Sequence, residues 1–238
     1  MRDAIVLINK KPGVTSFSCL GRIKHIINRK TGHCGTLDKF ASGLIIALCG
    51  RKYTRLNERF MGMDKTYTAL IEFGKETDTL DPEGEVIKTS DVPDFETVTE
   101  AVKKLTGPII QVPPLYSALH VNGKRSYQLV REGKEVKLSG RPVTIYSAEI
   151  LSWEKPFLRI RLKVSKGTYV RSYARDLGEL CSSCAYVREL ERNSIGPFTL
   201  EEAVDYDDEK ALSEVDMTKE LLKKLEEYGR TDGNKEIL

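Results

Sequence analysis

Histidine and long apolar runs are scarce in this 238-residue chain and its cysteines are odd in number, and each of these facts removes a class of explanation. Five cysteines, Cys19, Cys34, Cys49, Cys181 and Cys184, form an odd set with no export signal ahead of them, which reads as reduced thiols in a cytoplasmic protein. With three histidines in the whole chain, Cys181-Ser182-Ser183-Cys184 lacks a second ligand pair at zinc-finger spacing, so two helix-end thiols are expected rather than half a metal site. Cys34 follows His33, but no third orienting group marks the pair as a nucleophile and its base. The apolar run at residues 4–8 is too short for a signal peptide and is followed by Lys10-Lys11. The longest later run, residues 43–50, cannot span a bilayer, so no membrane association is expected. Phosphate-cradling G-x-x-x-x-G-K-[ST], dinucleotide-binding G-x-G-x-x-G and the zinc-protease H-E-x-x-H are also missing. A chemistry without cofactor is the expectation.

What the chain does have is charge, 31% of its residues, and the charge is segregated. Residues 1–60 hold 12 Lys/Arg against 3 Asp/Glu, and residues 111–175 hold 13 against 4. Between them residues 61–110 hold 5 against 11, and residues 176–238 hold 8 against 17. Two basic blocks in a chain of net charge +3 point to a polyanionic partner, although solvated helix faces would give the same count.

No repeat, low-complexity tract or Pro/Gly/Ser linker divides the chain before about residue 205. Residues 4–8, 43–48, 66–73 and 157–164 read as strands. Residues 16–29, 95–105, 169–181 and 207–228 read as helices. In 157–164 the alternation puts Leu158, Ile160, Leu162 and Val164 on one face and Arg159, Arg161 and Lys163 on the other, a basic row on which a phosphate backbone can lie. The order lacks the βαβ rhythm of a doubly wound sheet, so the class is mixed α and β.

A polar loop, Gly32-His33-Cys34-Gly35-Thr36-Leu37-Asp38, separates a helix from an apolar strand. Its glycines allow tight bends and close approach to a ligand, and a carboxylate held there can act as nucleophile or base. Taken alone, Asp38 also fits a turn or capping role, and His33 a surface one.

The same loop resembles the catalytic motif of the tRNA pseudouridine-55 synthases, the TruB family, G-H-x-G-T-L-D-P-x-A-S-G-[VL]. Other blocks resemble that family in the same order along the chain. They are Lys10-Lys11-Pro12-Gly13-Val14-Thr15-Ser16, Asp64-Lys65-Thr66-Tyr67, Thr77-Asp78-Thr79-Leu80-Asp81, Val112-Pro113-Pro114-Leu115-Tyr116-Ser117-Ala118-Leu119 and Lys166-Gly167-Thr168-Tyr169-Val170-Arg171-Ser172.

The resemblance implies an α+β pseudouridine synthase fold, with a mixed and mostly antiparallel sheet, flanking helices and a central RNA-binding cleft. It implies Asp38 as the reacting carboxylate, Tyr67 stacked on the target base, Tyr169 at the sugar or base, and Arg171 paired with Asp38. His33 would fill the place of a flipped base, Leu190 would pack against it, and Lys11, Lys39, Lys65 and Lys166 would meet RNA. The implied partner is the T-arm stem-loop of tRNA, with no obligatory protein partner and a monomeric enzyme. Tyr116, Tyr127 and Tyr173 are expected as packing residues.

Two features depart from the pattern. Lys39 stands where the family has proline, which leaves the stiffness of the loop without its usual source. Only about thirty residues follow position 205, too few for the small RNA-binding domain of the PUA type that many relatives carry. A catalytic domain at 1–205 and an acidic helical tail at 206–238 are therefore expected. The alternatives are a guide-RNA-dependent relative, a non-catalytic RNA-folding module, and a thiol or zinc protein built on Cys181 and Cys184.

Overall fold

The computed structural model describes residues 1–121 and 123–231, and the chain forms two compact units. Residues 1–67, together with the chain from Leu190 onward, make the first; Thr68–Glu189 make the second. The chain passes between them inside two strands, Lys65–Phe73 and Ala185–Ile195.

In the first unit the apolar strand Ser42–Cys49 is central. It runs antiparallel to Ala4–Lys10, with Ala4 opposite Cys49 and Lys10 opposite Gly43. Along its other edge lie Thr31–Cys34, antiparallel, and the end of Ala185–Ile195, parallel through Glu191 and Arg192. Val204–Asp205 adds a parallel pairing to Ala4–Lys10. Both strands of the central pair are buried almost throughout, which explains why they read as continuous apolar runs rather than alternating ones. Ile5, Leu7, Leu44, Ile46 and Leu48 meet Phe60, Ile195 and Phe198 in one core.

The segment 32–38, expected as a loop throughout, begins as a strand: Thr31–Cys34 is laddered to Ser42–Cys49 and only residues 35–41 turn. Four polar or small residues give no strand signal of their own; pairing with an apolar neighbour decides their conformation. The helix expected over 207–228 is two helices, Glu209–Glu214 and Thr218–Thr231. Asp208 caps the first by accepting from the Ala211 N–H at 2.9 Å, and Leu221 and Leu225 of the second are buried in the first unit's core. Residues 232–238 of the expected tail lie outside the described residues.

In the second unit Phe157–Val164 lies between Lys65–Phe73 and Arg141–Glu154, and Gly107–Gln111 follows outside the latter. The two described ladders of this array are antiparallel. Leu158, Ile160, Leu162 and Val164 are buried as the alternation predicts, while Arg161 and Lys163 are exposed. The basic row is partly neutralised: Arg159 pairs with Glu189 at 3.4 Å and Arg161 with Glu149 at 3.1 Å. Helix Phe95–Lys104 starts where expected because Asp94 accepts from the Thr97 N–H at 2.8 Å. Helix Val170–Leu180 buries Tyr173, Ala174 and Leu177. The lone tryptophan, Trp153, lies edge-on to Phe73 at 5.7 Å and stacks on Phe95 at 6.2 Å.

One glycine tests the packing of the first unit. Gly43 has φ of +106°, and a Cβ there would lie 2.5 Å from the Arg192 carbonyl oxygen and 2.6 Å from its nitrogen. Gly43→Ala meets a strained backbone and an immovable one together, so a loss of about 2 kcal/mol or more is expected. A urea denaturation midpoint unchanged from the parent would contradict that packing.

Candidate active site

Asp38 lies half-buried in the turn 35–41, and the chain anchors that turn on both sides. Lys10 keeps the inward position of its strand and is fully buried. Its ammonium donates to the carbonyls of Val14 at 2.7 Å and Lys39 at 3.2 Å, and also to that of Ala41. Ser16 clamps the residue before the aspartate: its Oγ accepts from the Leu37 N–H and donates to the Leu37 carbonyl, each at 3.0 Å. Gly13 N–H donates to the Lys39 carbonyl at 2.8 Å, and Ala41 N–H to that of Asp38 at 3.2 Å. These bonds hold the backbone on both sides of Lys39.

Arg192 anchors the entry to the turn. It is 1% exposed, donating through Nε to the Leu44 carbonyl at 2.8 Å and through Nη2 to that of Gly35 at 3.0 Å. Gly35 itself sits at φ +81°, where the chain leaves the strand.

His33 is half-buried two residues before Gly35, and its Nδ1 is buried with no hydrogen-bond partner. Burial, reinforced by the nearby Arg192 charge, pushes its pKa below the ordinary 6.5, so the ring is neutral at pH 7. The neutral ring is favoured by folding. Its contribution to stability is therefore whole above about pH 6.5 and lost as pH falls from there towards the lowered folded value. His33→Gln should flatten the fall of the urea midpoint between about pH 7.5 and pH 5.5. An unchanged slope would mean that the ring is solvated. Burial also pushes the Cys34 thiol up to about 12, which leaves it protonated at neutral pH and no nucleophile.

The remaining expected residues of this unit have defined places. Lys11 is exposed and pairs with Asp207 at 3.0 Å and Asp205 at 3.8 Å. Lys39 is exposed. Lys65 donates to the carbonyls of Met61 at 2.7 Å and Met63, closing the end of helix Asn57–Gly62. Tyr67 is half-buried and Leu190 is 7% exposed.

In the second unit Lys166 is exposed in the turn that precedes Tyr169. Tyr169 is the residue immediately before helix Val170–Leu180 and has no side-chain cap of its own. Its backbone N–H donates to the Gln111 Oε1 at 2.8 Å. Arg171 is buried, donating to the carbonyls of Thr79 at 2.8 Å and Tyr116 at 3.0 Å, with Nη1 3.4 Å from the Asp81 carboxylate. Asp81 is held in turn by the Thr79 hydroxyl at 2.6 Å and the Glu83 N–H at 3.0 Å. Tyr173 is fully buried; Tyr116 and Tyr127 are half-buried. Cys181 and Cys184 are free and buried, the latter with Sγ 3.1 Å from the Ser90 hydroxyl.

Asp38, His33, Tyr67, Leu190, Lys11, Lys39 and Lys65 thus belong to the first unit, and Lys166, Tyr169 and Arg171 to the second. Sequence reasoning passed over the groups that fix them: Lys10, Ser16 and Arg192 around the Asp38 turn, Asp81 and Gln111 beside Arg171 and Tyr169. Lys10, Ser16 and Asp81 lie inside the quoted blocks, and Gln111 directly precedes one. Their signal was present as position, but nothing in the residue types distinguishes a buried cation from a solvated one.

Comparison with known proteins gives first the class. A chain in the crystal structure of a Cbf5-Nop10-Gar1 complex is similar over 98% of this chain and 57% of its own length, at 28% identity and a TM-score of 0.67. The arrangement is the pseudouridine synthase fold, a mixed and mostly antiparallel sheet with helices. The family model described as "TruB family pseudouridylate synthase (N terminal domain)" matches residues 24–170. The tRNA pseudouridine synthase B of Borreliella afzelii (strain PKo) is 45% identical over 207 residues, covering 85% of this chain and 73% of that protein. That of Treponema denticola is 40% identical over 227 residues, covering 87% and 63%. The chain belongs to the TruB family of pseudouridylate synthases.

Proposed function

We propose that this chain isomerises the T-loop uridine of tRNA, position 55, to pseudouridine, with Asp38 as the reacting carboxylate. The similarity to tRNA pseudouridine synthases B supports the substrate and reaction. The observation that carries the assignment to Asp38 is its placement in a turn anchored by Lys10, Ser16 and Arg192. A group that must meet a sugar or base at a fixed distance gains from such pre-organisation.

The reaction breaks the N1–C1′ glycosidic bond and forms a C5–C1′ bond on the same uracil. The proton on C5 is lost and N1 regains one, so no electron, phosphate or metal is exchanged. The uridine first leaves the stack of the loop, at a cost of about a few kcal/mol. In this reading the neutral His33 ring takes the vacated place, Tyr67 stacks on the extruded base and Leu190 packs against it. Tyr169 contacts the base or sugar, and Arg171 keeps Asp38 ionised and aimed. Lys11, Lys39, Lys65 and Lys166 contribute phosphate contacts, as lysines do without reading sequence. We assign residues 1–205 to the catalytic domain and the helices beyond to a brace on its core. The enzyme is proposed to be monomeric, cytoplasmic and free of an obligatory protein partner.

The test is to incubate the purified chain with a T-arm stem-loop transcript and map pseudouridine. Conversion at the single T-loop position supports the proposal, and no conversion of stem-loop or full-length tRNA overturns it. The similarity to a chain solved in a Cbf5-Nop10-Gar1 complex favours a second reading, in which partners are required. Activity restored only by added protein or guide RNA would select that one.

A further inference from the structure

Gln111 ends strand Gly107–Gln111 and is 1% exposed, an uncommon place for a glutamine. Its Oε1 accepts the Tyr169 N–H at 2.8 Å. Its Nε2 is buried and has no hydrogen-bond partner. The amide cannot be turned over to relieve this, because Nε2 would then face the Tyr169 N–H, donor against donor. A buried donor left unpaired is a standing cost, and such groups are rare enough to need a reason.

The surroundings supply one. The segment that follows Gln111 is stitched to the start of helix Val170–Leu180 residue by residue. Ser172 Oγ donates to the Val112 carbonyl at 2.8 Å, and Arg175 Nη2 to the same carbonyl at 2.9 Å. Arg171 Nη2 donates to the carbonyl of Tyr116 at 3.0 Å. Every one of these bonds uses a side chain of the helix and a carbonyl of the segment. Gln111 works in the other direction, offering a side-chain acceptor to the backbone of Tyr169. Tyr169 is the cap residue of that helix, its side chain makes no capping bond, and its N–H is one of the donors a helix start leaves for an outside acceptor. The Gln111 acceptor is what holds the Tyr169 backbone against the segment and so sets where its ring emerges.

We infer that Gln111 is a positioning residue for Tyr169, acting through the Oε1 bond to its backbone rather than on substrate. The inference rests on the proposed role of Tyr169 at the target nucleotide. Gln111→Met keeps length and burial and deletes the acceptor; Gln111→Glu, held protonated by burial, keeps an acceptor oxygen and replaces the spare amide by a carboxyl O–H. Three measurements are made on each full-length variant: single-turnover rate on the T-arm stem-loop, RNA Kd, and amide hydrogen exchange at Tyr169 against the amides of residues 157–164.

Gln111→Met should lose at least tenfold in rate, about 1.4 kcal/mol in the barrier. Its Kd should stay within about twofold, with exchange at least about tenfold faster at Tyr169 and unchanged over 157–164. Gln111→Glu should stay within about threefold of the parent rate and keep Tyr169 protected. Parent-like rate or parent-like Tyr169 exchange in Gln111→Met overturns the inference. So does an equal loss of RNA affinity in both variants, which would make the unpaired amide a substrate contact. If Gln111→Met exchanges fast everywhere it has failed to fold, and Gln111→Glu decides: tenfold slower turnover with a protected Tyr169 amide overturns the inference. Tyr169→Phe and Tyr169→Ala at the parent rate would instead sink the role of Tyr169, with the exchange result at Gln111 still standing.

Discussion

Replacement of Asp38 by asparagine is expected to abolish turnover while leaving RNA affinity nearly intact. The change preserves size and deletes the charge, so the turn held by Lys10, Ser16 and Arg192 should keep its shape. Those anchors bind backbone atoms of Val14, Gly35, Leu37, Lys39, Ala41 and Leu44, and these bonds do not depend on the charge at position 38. A fall of about a thousandfold or more, roughly 4 kcal/mol in the barrier, is the expected magnitude for a group the reaction cannot spare. Affinity comes mainly from lysine and arginine contacts to phosphate, so the Kd should move by no more than about twofold at fixed salt. Single-turnover rates with saturating enzyme separate the two. A variant that keeps more than a few per cent of the parent rate removes Asp38 from the chemistry.

Arg171→Lys carries the second large expectation, despite keeping the charge. The guanidinium reaches the carbonyls of Thr79 and Tyr116 and the Asp81 carboxylate at once, all from a site 5% exposed at the side chain. A lysine is a single point with tetrahedral donors and cannot match that planar spread of acceptors. Each buried acceptor left unmet costs about 1–3 kcal/mol, so the variant should be less stable as well as slower. At least about tenfold in rate is expected at a temperature where the variant is fully folded. Parent-like kinetics there would place Arg171 in the scaffold alone. Circular dichroism melting of the same sample shows whether the loss is of fold or of chemistry.

The fate of the charged blocks shows where sequence reading reaches its limit. The basic N-terminal block points to a polyanionic partner or to solvated faces, but its cations are not equally open to either: Lys10 is buried among carbonyls and Lys11 is shared with Asp205 and Asp207. Arg22 of the same block is 3.5 Å from Glu209. The basic first sixty residues and the acidic stretch that follows Leu190 belong to one compact unit and neutralise each other in part. Counting along a chain cannot anticipate that, because opposite charges two hundred residues apart have no local relation.

Strand Arg141–Glu154 escaped notice for a different reason. Its register shifts between Ile145 and Ser147 and again between Ile150 and Ser152, and each shift inverts the alternation that a reader follows. Ala185–Ile195 is masked by charged residues, Arg188, Glu189, Glu191 and Arg192, across its middle. Phe157–Val164 has no such interruption and was legible from end to end.

By itself the chain's residue order determined the elements whose periodicity is unbroken, the helix starts at Thr15 and Asp94, and the motif blocks that place the chain in its family. These depend on neighbours within a few positions, where side-chain period and capping act. Tertiary structure alone decided that Thr31–Cys34 is a strand, that Lys39 can stand where proline is usual, and that Lys10, Gln111, Arg171 and Arg192 are buried. Each of those outcomes depends on which backbone groups the folded chain brings within hydrogen-bond reach. A buried cation is tolerable only where such acceptors converge, and convergence is a property of the packed chain.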